Sequence, residues 1–115
     1  MSDDPPLSGD DLVRVLGTLA NPHRMRVIAA LARERAYVSR LARDLGISRA
    51  LLQVHLRKLT AAGLVSAQLE LSEDGKAMKY YEVKPFALRL TPDAIADAAR
   101  TLTPPDTVES QGAER

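Results

Sequence analysis

Residues 48–58 read SRALLQVHLRK, and they place Ser48, Arg49, Gln53, Arg57 and Lys58 among the small apolar side chains Ala50 and Val54. Arginine can fork onto O6 and N7 of guanine, glutamine can pair with adenine, and an alanine or valine methyl can lie against the methyl of thymine. Serine and lysine supply donors for phosphate, as do the free N–H groups of a helix N-terminus. These residue types at this spacing point to contact with the edges and backbone of a nucleic acid.

Such side chains act together only if one helix presents them. Leu52, Leu56 and Leu59 recur at i, i+4 and i+7, so they form one apolar stripe and leave Ala50, Val54 and Arg57 opposite, flanked by Gln53 and Lys58. Ser48 is suited to cap this helix, and Gly46 can end the preceding one in the left-handed conformation that glycine adopts cheaply. Upstream, Ser8 or Asp10 can cap a first helix carrying Leu12, Val13, Leu16 and Leu19. Asn21 before Pro22 marks a second, running to about Arg35 with Met25, Ile28, Ala29 and Leu31 or Ala32 on its apolar side. Tyr37 and Val38 favour extended backbone, and Ser39 can cap a short third helix that buries Leu41 and Leu45. Two short helices joined at a glycine turn, the second exposing Arg and Gln, make a helix-turn-helix.

After Gly63 the period changes to two. Val65, Ala67, Leu69 and Leu71 alternate with Ser66, Gln68 and Glu70, SEDGK forms a turn with Gly75 at positive φ, and AMKYYEV returns as a second strand. The hairpin reads as a wing. Lys76 and Lys79 lie at or beside its tip, where they can reach phosphate or simply solubilise an exposed hairpin; Glu73 and Asp74 share that tip.

A chain of 115 residues fits one small domain that buries about two-thirds of its unfolded surface. The net charge of +1 hides a strong asymmetry: residues 1–11 carry four Asp and no base, residues 12–90 carry 14 Lys and Arg against six acids, and residues 91–115 carry two Arg against five acids. A basic middle between acidic ends fits a nucleic-acid-binding core. With no cysteine there is no disulfide, thiolate metal site or cysteine nucleophile, and a reducing cytoplasm is the expected compartment. No apolar run reaches membrane-spanning length, and the acidic N-terminus is unlike a signal peptide.

The stretches LANPHRMRVIAAL and VSRLARDLGISRALLQVHLRKLTAAGLV, with the hairpin that follows, resemble the winged-helix domain of the ArsR class of bacterial repressors over residues 12–84. That resemblance implies a dimer whose fourth helix reads operator DNA. By it, Ser48, Arg49, Gln53 and Arg57 fall at operator-contacting positions, and His55 takes a histidine frequent in the family at the edge of the buried stripe. Metal-sensing members carry cysteines near the third helix or His and Asp pairs on the last. Here AYVSRLARDL has no cysteine, and Asp93 and Asp97 lack a nearby histidine, so no metal or other cofactor is expected. Leu51 and Val54 are less polar than the family pattern. They fit thymine contact, packing against the third helix or wing, or a protein partner in place of DNA.

Toward the C-terminus, KPFALRL reads as a short strand or connector, and Thr91 with Pro92 opens a last helix. Its stripe of Ile95, Ala98 or Ala99, and Leu102, together with Leu12, Val13, Leu16 and Leu19, exceeds what a small domain hides, so a homodimer through the first and last helices is expected. The expected fold is mainly α with a small antiparallel β-hairpin, a winged helix-turn-helix in the order α-α-α-α-β-β-α. Residues 1–9 form an acidic flexible tail, 10–102 the DNA-binding and dimerisation domain, and 103–115 a polar disordered tail. The expected activity is sequence-specific binding of a double-stranded DNA operator as a metal-independent repressor, with a winged-helix protein adaptor as the alternative. No phosphate loop, nucleophile elbow or histidine-rich metal motif favours an enzyme, and one Phe, three Tyr and no Trp argue against single-stranded RNA.

Overall fold

A computed structural model describes residues 7–105; of the expected tails at 1–9 and 103–115, the parts at 1–6 and 106–115 lie outside the described residues. The chain forms two compact units, Arg14–Ala87 and a second made of the stretch up to Val13 with the stretch from Leu88 onward. The elements in order are α1 (Gly9–Leu19), α2 (Pro22–Arg33), β1 (Ala36–Tyr37), α3 (Val38–Leu45), α4 (Arg49–Ala61), β2 (Val65–Leu71), β3 (Ala77–Val83) and α5 (Pro92–Ala99). This is the winged helix-turn-helix order, with one strand more than the hairpin alone.

Polar caps set most of these boundaries. Asn21 Oδ1 accepts from Arg24 N at 3.1 Å, Ser48 Oγ from Leu51 N at 3.0 Å and Thr91 Oγ1 from Ala94 N at 3.0 Å. At α1 the cap is Ser8, whose Oγ accepts from Asp11 N. Gly46 at φ 70° and Gly63 at φ 78° close α3 and α4, and in both turns the next residue donates back five positions, Ile47 N to Ala42 O and Leu64 N to Leu59 O.

Three readings of the sequence need correction. The second helix ends at Arg33, not near Arg35, because Glu34 is extended and leads the chain into β1. Ser39 does not cap α3, which starts at Val38 after an extended Tyr37 with no side-chain cap, since β1 holds the backbone extended up to that point. The buried positions of α2 are Val27 and Leu31, whereas Met25 is 60% exposed; this helix is apolar on more than one side, so periodicity alone did not select the inward face. Of the two readings of KPFALRL, strand or connector, the structure has the connector, since residues 84–91 form no strand.

β3 is the central strand of the sheet, ordered β1-β3-β2, with Ala36 opposite Tyr81 and Val65 opposite Val83. The core of Arg14–Ala87 is made by Val15, Val27, Leu31, Leu41, Leu52, Leu56, Leu59, Leu64, Val65 and Tyr81. In the other unit, buried Gly9 donates its N–H to Thr101 Oγ1 at 2.7 Å, and Asp10 accepts from both the N–H and the hydroxyl of Thr103. A Cβ at Gly9 would lie 2.3 Å from Ala98 O, so only glycine permits this approach.

Leu59 is fully enclosed, so Leu59→Ala is expected to lower unfolding free energy by roughly 2–5 kcal/mol, whereas Gly46→Ala, which meets no atom and only strains the left-handed turn, should lower it by roughly 1–2 kcal/mol. Chemical denaturation of the two variants measures the ratio.

Candidate nucleic-acid interface

Burial of α4 fixes which side chains remain outside. Leu52, Leu56 and Leu59 are at most 1% exposed, and their opposite face carries Ala50, Val54, Arg57 and Ala61, all exposed. Arg49 and Lys58 are exposed at its margins, and Gln53 is half-buried. From Leu45 to Leu69 there is no acidic residue, and Arg49, Arg57 and Lys58 have no ion-pair partner among the described residues. The Ser48 hydroxyl oxygen is occupied by Leu51 N, but its O–H stays available as a donor beside the free N–H groups of the first turn.

Two other arginines of the basic middle are held in ion pairs. Arg35 pairs with Glu70 through both nitrogens of its fork and lies 4.4 Å from the Tyr80 ring, which stands edge-on to Tyr37. That hydrogen bond holds the Glu70 carboxyl below its ordinary range. Arg40 pairs with Glu34 and Asp44. Both carboxylates line a cleft of about 630 Å³ between α2 and α3 that also includes Arg33 and Arg40.

The wing carries the two expected lysines at different depths. Lys76 follows the turn, where its N–H donates to Ser72 Oγ, and Asp74 accepts from the Ser72 hydroxyl, which lowers the Asp74 pKa. Lys79 sits mid-strand opposite Leu69, with Nζ 5.8 Å from the Tyr81 ring. The alternation of β2 is present, but only Val65 is covered; Leu69 and Leu71 are 68% and 76% exposed.

The apolar residues expected to mediate dimerisation are mostly uncovered. Val13, Ile95 and Leu102 are 59%, 50% and 42% exposed, Ala99 is exposed, and Leu12, Leu16 and Leu19 are half-buried. Leu102 lies beyond the end of α5, beside Gly9. The buried side chain of α1 is Val15, outside the stripe read from the sequence.

Sequence separation concealed one cluster. His55, 5% exposed, accepts through Nδ1 from Arg24 Nε at 3.2 Å, and exposed His23 stacks on it with ring centroids 5.5 Å apart. Arg24 also donates from Nη1 to Thr18 O, so one guanidinium ties the end of α1 to α4 through His55. Because Nδ1 accepts, the imidazole proton sits on Nε2, which is buried without a partner. Asp93 and Asp97 are exposed, and no group of three or more His, Cys, Asp or Glu able to hold a metal occurs among the described residues. No helix among them is long and apolar enough to cross a membrane.

A family model described as a helix-turn-helix domain matches residues 19–66. The chain is 33% identical over 85 residues to an uncharacterised HTH-type transcriptional regulator of Methanocaldococcus jannaschii, spanning 74% of this chain and 88% of that protein. Among solved structures it is similar to the homodimeric winged helix-turn-helix DNA-binding domain of a possible ArsR-family transcriptional regulator from Mycobacterium bovis. That match has 27% identity and a TM-score of 0.58, and covers 79% of this chain and 70% of the other. NolR from Sinorhizobium fredii matches with 25% identity and a TM-score of 0.57, over 84% and 92% of the two chains.

Burial first, then Arg24 and His23, hold the His55 imidazole below its ordinary value of 6.5. The unfolded chain therefore takes up this proton more readily than the folded one, and the stability contributed by neutral His55 is complete above that value and declines as pH falls below it. Thermal melts across this range should show the decline in the natural chain and a flatter profile in His55→Gln; identical slopes would assign the acid sensitivity elsewhere.

Proposed function

The chain belongs to the ArsR-type winged helix-turn-helix family of transcriptional regulators, and from that premise we propose that it is a homodimeric, metal-independent repressor occupying a partly palindromic DNA operator. The observation that carries this reading is the outward face of α4, where three unpaired cations and Gln53 surround small apolar groups on a stretch without a carboxylate. Arg49, Gln53 and Arg57 specify bases, Ala50 and Val54 touch thymine methyls, Ser48 and Lys58 hold phosphates, and Lys76 and Lys79 anchor the wing.

Dimerisation is supported by the uncovered apolar side chains of α1 and α5, and by the homodimeric state of the M. bovis relative. A two-fold pair sets its reading helices about 34 Å apart, one turn of DNA. Repression follows from occupying the promoter and excluding polymerase, in the cytoplasm where the chromosome lies.

A second reading, a protein adaptor, is favoured by Leu51 and Val54, 40% and 38% exposed on the same helix. Salt separates the two, because release of counterions makes phosphate contacts fall steeply with ionic strength while an apolar interface responds weakly.

Fluorescence anisotropy against the native upstream duplex and a scrambled one, at two salt concentrations, should give tight, salt-sensitive binding that prefers the native sequence. Arg57→Ala is expected to lose about 1–3 kcal/mol on the operator and little on random DNA, whereas Lys79→Ala should weaken both evenly and reduce the salt slope. Equal losses on the two duplexes for Arg57→Ala would remove its role as a base reader. Sedimentation at micromolar concentration should show a dimer, and a monomer would overturn the α1 and α5 interface.

A further inference from the structure

The apex of α4 is chemically lopsided. Of the residues at i, i+4, i+7 and i+11 along its outward face, Ala50, Val54, Arg57 and Ala61, only Arg57 can form a hydrogen bond with its side chain. Val54 and Arg57 are three residues apart on that face, about 4.5 Å along the axis, close to one base step of 3.4 Å. Both are exposed, and no acid on the helix draws the guanidinium aside.

We infer that α4 reads a 5-methylpyrimidine followed by guanine: Arg57 forks onto O6 and N7 of the guanine while the Val54 methyls pack on the C5-methyl of the pyrimidine before it. The inference rests on the proposal that α4 enters the major groove. Within that groove the C5-methyl is the apolar feature of a pyrimidine, and valine has no group to hydrogen-bond with the exocyclic O4 or N4 beside it. Val54 therefore responds to the methyl group itself, whether it belongs to thymine or to 5-methylcytosine. Gln53, next to Val54 and half-buried, is the residue able to separate the two sources, since its amide fits the adenine paired with thymine and not the guanine paired with 5-methylcytosine.

Selection from random duplexes with the full chain yields the preferred site, and the guanine whose selectivity is lost in Arg57→Ala marks the step. Four versions of that site then differ only at the preceding pyrimidine: thymine, uracil, cytosine and 5-methylcytosine. Each added methyl should tighten binding about fourfold, the value of one buried methyl group. Val54→Ala, an exposed change that leaves the core intact, should abolish the difference between methylated and unmethylated versions of the site. A methyl effect in both pairs identifies the C5-methyl alone as the ligand. An effect confined to thymine over uracil supports the Val54 contact and adds Gln53 as its partner, which Gln53→Ala should reverse by restoring the 5-methylcytosine response. Sequence-selective binding with no methyl effect, or a methyl effect that survives in Val54→Ala, overturns the inference and leaves the regulator reading intact. Absence of any sequence-selective, salt-sensitive binding defeats the regulator reading itself.

Discussion

One stripe of leucines governs the molecule. Leu52, Leu56 and Leu59 lose essentially all contact with solvent, and because a helix places i, i+4 and i+7 on one side, their burial leaves no rotational freedom to α4. The outward direction of Arg57 and Val54 is a consequence of that packing. The same helix is held at both ends, by the Ser48 cap at its start and by the paired turn bonds at Gly63, so its length and its exit into β2 are set as firmly as its rotation.

Electrostatics then selects which cations are free to act. Arg35 is bound to Glu70 and stacked on Tyr80, and Arg40 is shared between Glu34 and Asp44, all at exposed positions where such pairs add modest stability and chiefly fix orientation. These pairs neutralise part of the basic middle. Around α4 no carboxylate is within the sequence from Leu45 to Leu69, so the charge there remains uncompensated and long-range attraction to a polyanion is concentrated on the face the leucines expose.

His55 couples this face to the rest of the unit. Its ring is buried with the leucines, yet it is tethered through half-buried Arg24 to the backbone of Thr18, so α1, α2 and α4 share one polar junction at the edge of the apolar core. A buried donor without a partner, Nε2, makes the junction sensitive to protonation: a second proton on the ring would face Arg24 with a donor where an acceptor is needed.

The sequence by itself determined the local grammar. Asn21, Ser48 and Thr91 announce helix starts because their side chains satisfy N–H groups of the first turn, and Gly46, Gly63 and Gly75 announce turns because their backbones adopt positive φ. The leucine period announced the buried side of α4, and with it the candidate reading residues. What depends on distant partners was not legible. β1 is two residues long and exists because Ala36 and Tyr37 pair with Tyr81 and Tyr80, and the His23–His55 stack joins residues 32 positions apart. The inward choice of Val27 over Met25, the close approach of Gly9 to Ala98, and the bare outer half of the wing at Leu69 and Leu71 likewise follow from which surfaces meet. Periodicity and capping are properties of neighbouring residues, whereas burial and pairing are properties of surfaces brought together only when the chain has folded.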